Sequence, residues 1–277
     1  MPTILDRILA VKRREVAALE PRLADLKAAC RDAPPPRSMA SALRRCGARS
    51  ANQSEIRNPE SEMASPIRIL AEVKHRSPSA GVICDPFDPP AIARTYETGG
   101  ADAVSCLTDR EFFGGSLDDL RAVRSAVALP VLRKDFLVAP VQLYEARAAG
   151  ADAVLLIAEA LDAAAMADLA ALAAALGMDV LAEAHSDAAL EQAVACGAAL
   201  VGINNRDLAT FTVDLQATER LAPRVRAASR VLVAESGIRA AADVSRLLAC
   251  GCDAVLVGES LLRSSDAAAK LAEFKIT

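Results

Sequence analysis

The chain has no tryptophan, and aromatic residues of all kinds make up only 3% of its 277 positions. A stacking platform for single-stranded nucleic acid needs such rings, and a net charge of −4 supplies no basic excess to hold a phosphate backbone. A nucleic-acid partner is therefore not expected. Histidine occurs only as His75 and His185, and the seven cysteines (Cys30, Cys46, Cys84, Cys106, Cys196, Cys250 and Cys252) are an odd number without metal-type spacing. That composition suits reduced thiols in a cytoplasmic protein and no metal centre. No apolar run is long enough for a membrane: the richest stretch, 151–184, is broken by Asp152, Glu159, Asp162, Asp168 and Asp179. Asp6 and Arg7 interrupt the apolar start, which does not read as a secretory signal.

What the chain does have is a repeated phrase. Gly-Gly-Ala-Asp-Ala-Val at 99–104, Ala-Gly-Ala-Asp-Ala-Val at 149–154, Cys-Gly-Ala-Ala-Leu-Val at 196–201 and Cys-Gly-Cys-Asp-Ala-Val at 250–255 are near-copies. Each reads as a helix stop followed at once by a strand start. A second apolar run lies roughly midway between copies, so each repeat of about 50 residues holds two strands and two helices. Four repeats give eight of each, the count of an α/β fold built as one (β/α)₈ TIM barrel. The strands are predicted at 67–74, 102–107, 130–136, 152–157, 179–185, 199–204, 230–235 and 253–258. Helices are predicted at 88–98, 116–127, 139–149, 161–176, 186–196, 214–222, 239–250 and 266–274, with Ser116, Asp162 and Ser186 at N-cap positions.

Ahead of the barrel, residues 1–66 form a helical extension and a polar loop, and 67–277 the barrel domain. An amphipathic helix is predicted over 3–20, closed by Pro21, and a short one over 38–46 after Pro34-Pro35-Pro36. The polar stretch 47–66 is either a solvated linker or a lid over the site.

Side chains two apart on a strand share a face. Registering the apolar residues of Leu70-Ala71-Glu72, Leu132-Arg133-Lys134 and Leu181-Ala182-Glu183 places Glu72, Lys134 and Glu183 at one depth in alternate strands. Lys74 stands one layer higher, and Asn204 and Arg206 share a face from the sixth strand. Buried charges must be paired and shift one another's pKa values, as general acid–base chemistry requires. The competing reading is an ion-pair plug of the barrel end. Arg133 and Asp135, on the opposite face, point to a structural role toward the helices. The turns at Glu235-Ser236-Gly237-Ile238 and Gly258-Glu259-Ser260-Leu261 lie where such barrels hold a phosphate, and Ser77 and Gly81 in the first loop could add donors.

With these residues in place, the chain resembles the indole-3-glycerol-phosphate synthase family. The carriers are LAEVKHRSPSAG at 70–81, SCLTDREFFGGSL at 105–117, PVLRKDF at 130–136, LAEAH at 181–185, VGINNRDL at 201–208, AESGI at 234–238 and VLVGESLL at 255–262. ILDRILAVKRREV at 4–16 is similar to the family's first helix. The resemblance implies a cofactor-free ring closure that converts 1-(2-carboxyphenylamino)-1-deoxyribulose 5-phosphate to indole-3-glycerol phosphate with loss of carbon dioxide and water. By position it makes Lys134 the general acid and Glu183 the base of the dehydration. Glu72 and Lys74 become the acidic and basic pair of the first strand, and Asn204 and Arg206 position the substrate. Ser77, Ser236, Gly237, Gly258 and the amide at Glu259 hold the phosphate, and Phe113 and Phe136 pack on the anthranilate ring. The sequence departs from the family pattern at Arg76 and Ala80, which bears on closure of the first loop. An isomerase barrel acting on phosphoribosylanthranilate would call for a Cys–Asp pair where the first strand offers Glu72 and Lys74. A silent phosphosugar binder would not need a second buried charge of each sign. The expected partner is a small phosphorylated substrate, and the chain is expected to be a monomer or weak homo-oligomer.

Overall fold

Eight parallel strands close into a barrel in the computed structural model, which describes residues 3–45, 65–207 and 212–277. In chain order they are β1 Arg68–Val73, β2 Ala103–Leu107, β3 Val131–Lys134, β4 Ala153–Ile157, β5 Asp179–Ala184, β6 Leu200–Asn204, β7 Val231–Glu235 and β8 Ala254–Val257. Each pairs with its sequence neighbours, and β8 closes on β1 with Arg68 opposite Ala254. The stretch read as linker or lid at 47–66 lies, apart from residues 65 and 66, outside the described residues.

The repeated phrase does two jobs. Gly100, Gly150, Gly197 and Gly251 all sit in the left-handed region, at φ 85–89°, where a residue with a Cβ is strained and glycine ends a helix cheaply. The aspartate two residues later reaches sideways to the preceding strand. Asp102 accepts from the Ile69 amide at 2.7 Å, Asp152 from Val131 at 2.8 Å and Asp253 from Leu232 at 2.9 Å. The third copy has Ala199 at that position and lacks the bond.

Among the described residues three helices precede the barrel: α1 Ile4–Leu19, α2 Leu23–Asp32 and α3 Met39–Leu43. As expected, α1 ends just before Pro21, which sits at the start of a single 3₁₀ turn where its missing N–H costs nothing. A second helix, not predicted, follows at Leu23. Met39 and Leu43 of α3 are fully buried and plug the N-terminal end of the barrel beneath Leu70, Leu132, Leu181 and Val233. The barrel helices are α4 Pro89–Thr98, α5 Leu117–Ala126, α6 Pro140–Ala148, α7 Ala163–Ala175, α8 Asp187–Ala195, α9 Gln216–Ala227, α10 Ala241–Ala249 and α12 Ala267–Phe274, with a short α11, Glu259–Leu262, after β8. Ser116, Asp162 and Ser186 each accept the amide three residues on, as their N-cap positions predict. The helix expected to stop at 222 runs through Pro223 to Ala227. Burial of Leu221, Ala222 and Val225 outweighs the one backbone bond that proline removes.

Candidate active site

Every odd strand ends on the same two-residue step, an inward apolar side chain followed by an inward charge. Leu70 precedes Glu72, Leu132 precedes Lys134, Leu181 precedes Glu183 and Val233 precedes Glu235. Alternate strands contribute to one layer, so these four charges form the top course of the barrel interior. The three glutamates are 4%, 3% and 1% exposed. Lys134 Nζ lies 2.6 Å from Glu235 Oε2 and 3.6 Å from Glu183 Oε2, and Lys74 pairs with Glu72 from just above. Asn204 donates through Nδ2 to Glu183 Oε1 at 2.9 Å, while its own oxygen accepts the Arg206 amide at 3.0 Å. It thereby fixes the angle of Glu183.

Two glycines, Gly202 on β6 and Gly258 directly after β8, make room for this course. A Cβ on Gly202 would lie 2.2 Å from Glu235 Oε1, and one on Gly258 would lie 2.5 Å from Glu72 Oε1. Both distances are far inside van der Waals contact, so the carboxylates stand where they do because those side chains are absent.

Three carboxylates face two ammoniums, and the excess appears at Glu235. Burial raises its carboxyl, Lys134 opposes that only in part and Glu183 adds to it, leaving the group at about 8. Burial would lower the Lys134 ammonium, yet Glu235, Glu183 and Glu72 overcome it and hold its pKa well above the usual lysine value. Burial also works against ionised Glu72, but Lys74 and Lys134 outweigh it and hold the carboxyl below its usual range. At neutral pH the course therefore holds a charged Lys134, an ionised Glu72 and a proton on Glu235.

Above the charges opens a cleft of about 440 Å³ with two unlike ends. At one, Phe113 after β2 and Phe136 after β3 form an aromatic wall, their ring centroids 6.2 Å apart and tilted by 34°. Arg76 braces the first loop against the second, donating through Nη2 to the Glu111 carbonyl at 2.7 Å. At the other end, Ser236 (φ 65°) and Gly237 (φ 84°) are consecutive left-handed residues, a pattern that gathers backbone N–H groups into an anion-binding concavity. Ser260 Oγ donates to the Ile238 carbonyl at 3.0 Å and locks the β8 loop to the β7 loop. Helix α11 is capped by Gly258, whose carbonyl accepts the Leu261 and Leu262 amides, so that only the amides of Glu259 and Ser260 have no acceptor within the helix. The Glu259 carboxylate turns to Arg263 at 2.9 Å, leaving only the backbone of Glu259 for a ligand. Ser77 borders the same cleft, its hydroxyl accepting the Ala80 amide at 3.2 Å.

The catalytic and substrate-contact residues named from the sequence all line this cleft, whereas Gly81, expected to add a donor from the first loop, does not. Arg239 and Arg263, not foreseen, stand at the anion end, and Glu235 belongs to the charged course beneath the cleft. Sequence reading weighed Glu235 only as part of a turn; the two-residue step from Val233 was the signal for it. Arg133 faces away, as expected, with Nη2 2.9 Å from Glu145 on α6, while Asp135 pairs outward with Lys12 and also borders the cleft.

A family model described as indole-3-glycerol phosphate synthase matches residues 5–274. The chain belongs to the indole-3-glycerol phosphate synthase family. It is 50% identical over 96% of both chains to the indole-3-glycerol phosphate synthase of Aromatoleum aromaticum, and 49% identical over 95% of both chains to that of Rhodopirellula baltica. Among solved structures, a thiamine phosphate pyrophosphorylase from Pyrococcus furiosus superposes with a TM-score of 0.58 at 17% identity, covering 75% of this chain and 93% of that one. A 3-hexulose-6-phosphate synthase gives 0.57 at 17%, covering 76% and 98%. At that identity the likeness shows the barrel fold alone. Among the described residues no helix is long and apolar enough to cross a membrane.

Proposed function

We propose that this mouth makes indole-3-glycerol phosphate from 1-(2-carboxyphenylamino)-1-deoxyribulose 5-phosphate, releasing carbon dioxide and water. The observation that carries the reading is the order along the cleft: aromatic wall, charged course, anion seat. The substrate has the same order, with aryl ring, ribulose carbonyl and phosphate. Gripping both ends holds the reacting carbons over the charges, which is how binding converts into orientation.

Ring closure needs an acid at the carbonyl. The ring carbon that bears the carboxylate attacks the ribulose carbonyl carbon, and Lys134 Nζ gives a proton to the carbonyl oxygen as the bond forms. The C–CO₂ bond then breaks, and its electron pair returns to the aromatic system. Dehydration follows: the new hydroxyl leaves with a proton from Lys74, which pairs with Glu72, while Glu183 takes the proton from the adjacent carbon. Asn204 keeps Glu183 aimed at that carbon, and Arg206 positions the sugar. Glu235, whose carboxyl is raised to about 8, is suited to restoring the proton Lys134 gives up. Positioned proton transfer of this kind contributes typically ~10²–10⁴-fold. Every group invoked comes from one chain, so the reading takes a cytoplasmic monomer or weak homo-oligomer and no cofactor.

Lys134→Ala is expected to abolish the appearance of indole fluorescence while leaving substrate affinity within about tenfold, because binding rests on the two ends of the cleft. An unchanged turnover rate would remove the proposed acid.

A further inference from the structure

A lysine on the buried face of an amphipathic helix is out of place unless something inside requires it. Lys12 of α1 lies among Ile8, Leu9 and Val11 and is 1% exposed. Its ammonium is 2.8 Å from Asp109 Oδ2, 2.8 Å from Asp135 Oδ1 and 2.9 Å from Glu15 Oε2. The first two carboxylates sit in different loops, one after β2 and one after β3, and each holds an aromatic residue by its backbone. Asp109 Oδ1 accepts the amides of Phe112 at 2.7 Å and Phe113 at 3.1 Å. Asp135 Oδ1 accepts the amide of Phe136 at 2.8 Å. One cation from the N-terminal extension therefore joins the roots of both rings of the aromatic wall.

Apolar packing does not set this spacing instead. Lys12, Thr108 and Asp135 border a second cavity, of about 520 Å³, between α1, α2 and the barrel, so the backs of the two loops are not filled by side chains. Asp135 has further partners, Arg133 Nη2 of its own strand at 3.2 Å and Thr108 Oγ1 at the root of the β2 loop at 2.7 Å, the second of which joins the two loops at their base. Asp109, which holds the Phe112 and Phe113 amides, is fully buried, and Lys12 is the one cation within ion-pair distance of it among the described residues. Beyond the Thr108 contact, the Phe113 loop is tied to the Phe136 loop through Lys12.

We propose that Lys12 is a positioning residue for the aryl end of the substrate, setting the gap between Phe113 and Phe136 without touching the substrate itself. The inference rests on the reading of those two rings as the aryl-binding wall.

The single change Lys12→Met would leave the buried Asp109 without a cation and risks the fold. The decisive variant is Lys12→Met/Asp109→Asn, which removes one charge of each sign. Asparagine still offers an oxygen to the Phe112 and Phe113 amides, and Asp135 keeps Arg133. For a folded double variant, KM for the carboxyphenylamino-deoxyribulose phosphate is expected to rise about tenfold or more with kcat within about threefold, since ground-state placement of the ring is lost. The inhibition constant for inorganic phosphate, which lacks the ring, is expected to stay within about twofold. Asp109→Asn alone leaves Lys12 paired with Asp135 and Glu15, and is expected to show the same split at about threefold. Lys12→Arg, which keeps the cation, is expected to retain the wild-type KM. A wild-type KM in the double variant, or in Asp109→Asn if the double variant does not fold, overturns the proposal; so does an equal loss of affinity for substrate and phosphate. Phe136→Ala separates the two levels. If it leaves KM unchanged, the aromatic-wall reading fails; if it raises KM where the Lys12 variants do not, only the role of Lys12 fails.

Discussion

The charged course depends as much on atoms that are missing as on those present. Glu235 Oε1 is buried without a hydrogen-bond partner, and it occupies the space a side chain at Gly202 would take. Gly202→Ala is therefore expected to push the Glu235 carboxylate off Lys134. Forcing one extra carbon into a packed interior costs about 1–3 kcal/mol, which a barrel of this size can absorb. The same displacement at the proposed acid is expected to lower kcat by at least about tenfold, because each ~1.4 kcal/mol of lost transition-state stabilisation is one decade in rate. Steady-state kinetics beside a thermal melt would show it: a small loss of stability with a large loss of kcat. A kcat equal to wild type in the folded variant would mean that the contact between Lys134 and Glu235 does not matter for turnover. Glu235 fell inside the strand predicted at 230–235, but only its turn was weighed, and the inward step from Val233 to Glu235 was not registered against the other odd strands.

At the scale of elements, the β7 turn shows why the anion seat is built on backbone. Ser236 accepts a left-handed conformation that costs a non-glycine residue of order 1–3 kcal/mol, and such outliers persist where the surroundings enforce them. Aspartate tolerates that region better than most residues, so Ser236→Asp keeps the turn while placing a negative charge in the seat. The Michaelis constant is expected to rise by more than about tenfold, like charges at short range repelling even in polar surroundings. An unchanged value would argue against phosphate binding there. The barrel itself was legible because its signals are local: a glycine that ends a helix, then an apolar run, four times over. The aspartate of that phrase was visible but its bond to the neighbouring strand was not, since it joins residues about 20–35 positions apart and no periodicity reports it. Pro21 does end α1, but nothing in the sequence reading announced the helix that follows it, and the prediction for α9 ended one residue before Pro223, where burial of Leu221, Ala222 and Val225 carries the helix on. Glu72, Lys134 and Glu183 could be aligned from strand patterns, but Lys12 could not, because a single lysine in an amphipathic helix gains meaning only from what lies opposite.

For the whole molecule, the mouth and its supporting network pull the dependence of stability on pH in opposite directions. Burial disfavours ionised Asp135, but Arg133 and Lys12 outweigh it and bring the carboxyl from 3.8 down to about 2. A group depressed in the folded chain stabilises it above the unfolded pKa, and that stability is lost as pH falls through the folded value. Glu235 has the opposite sign, since its carboxyl is raised from 4.5 to about 8. Between those two values the folded chain binds more protons than the unfolded one, so stability declines as pH rises through the window and levels off above it. Burial raises the Glu235 carboxyl, Lys134 opposes that only in part and the neighbouring Glu183 adds to it. Glu235→Gln removes the titrating group. Between about pH 5 and about pH 9 the melting temperature of the wild type is expected to fall by at least about 4 °C more than that of the variant. The acid limb below pH 4, which Asp135 controls, is expected to be the same in both. Parallel melting profiles across the alkaline range would show that the raised carboxyl is not part of the folded mouth, and with it the proton reserve assigned to Lys134 would go.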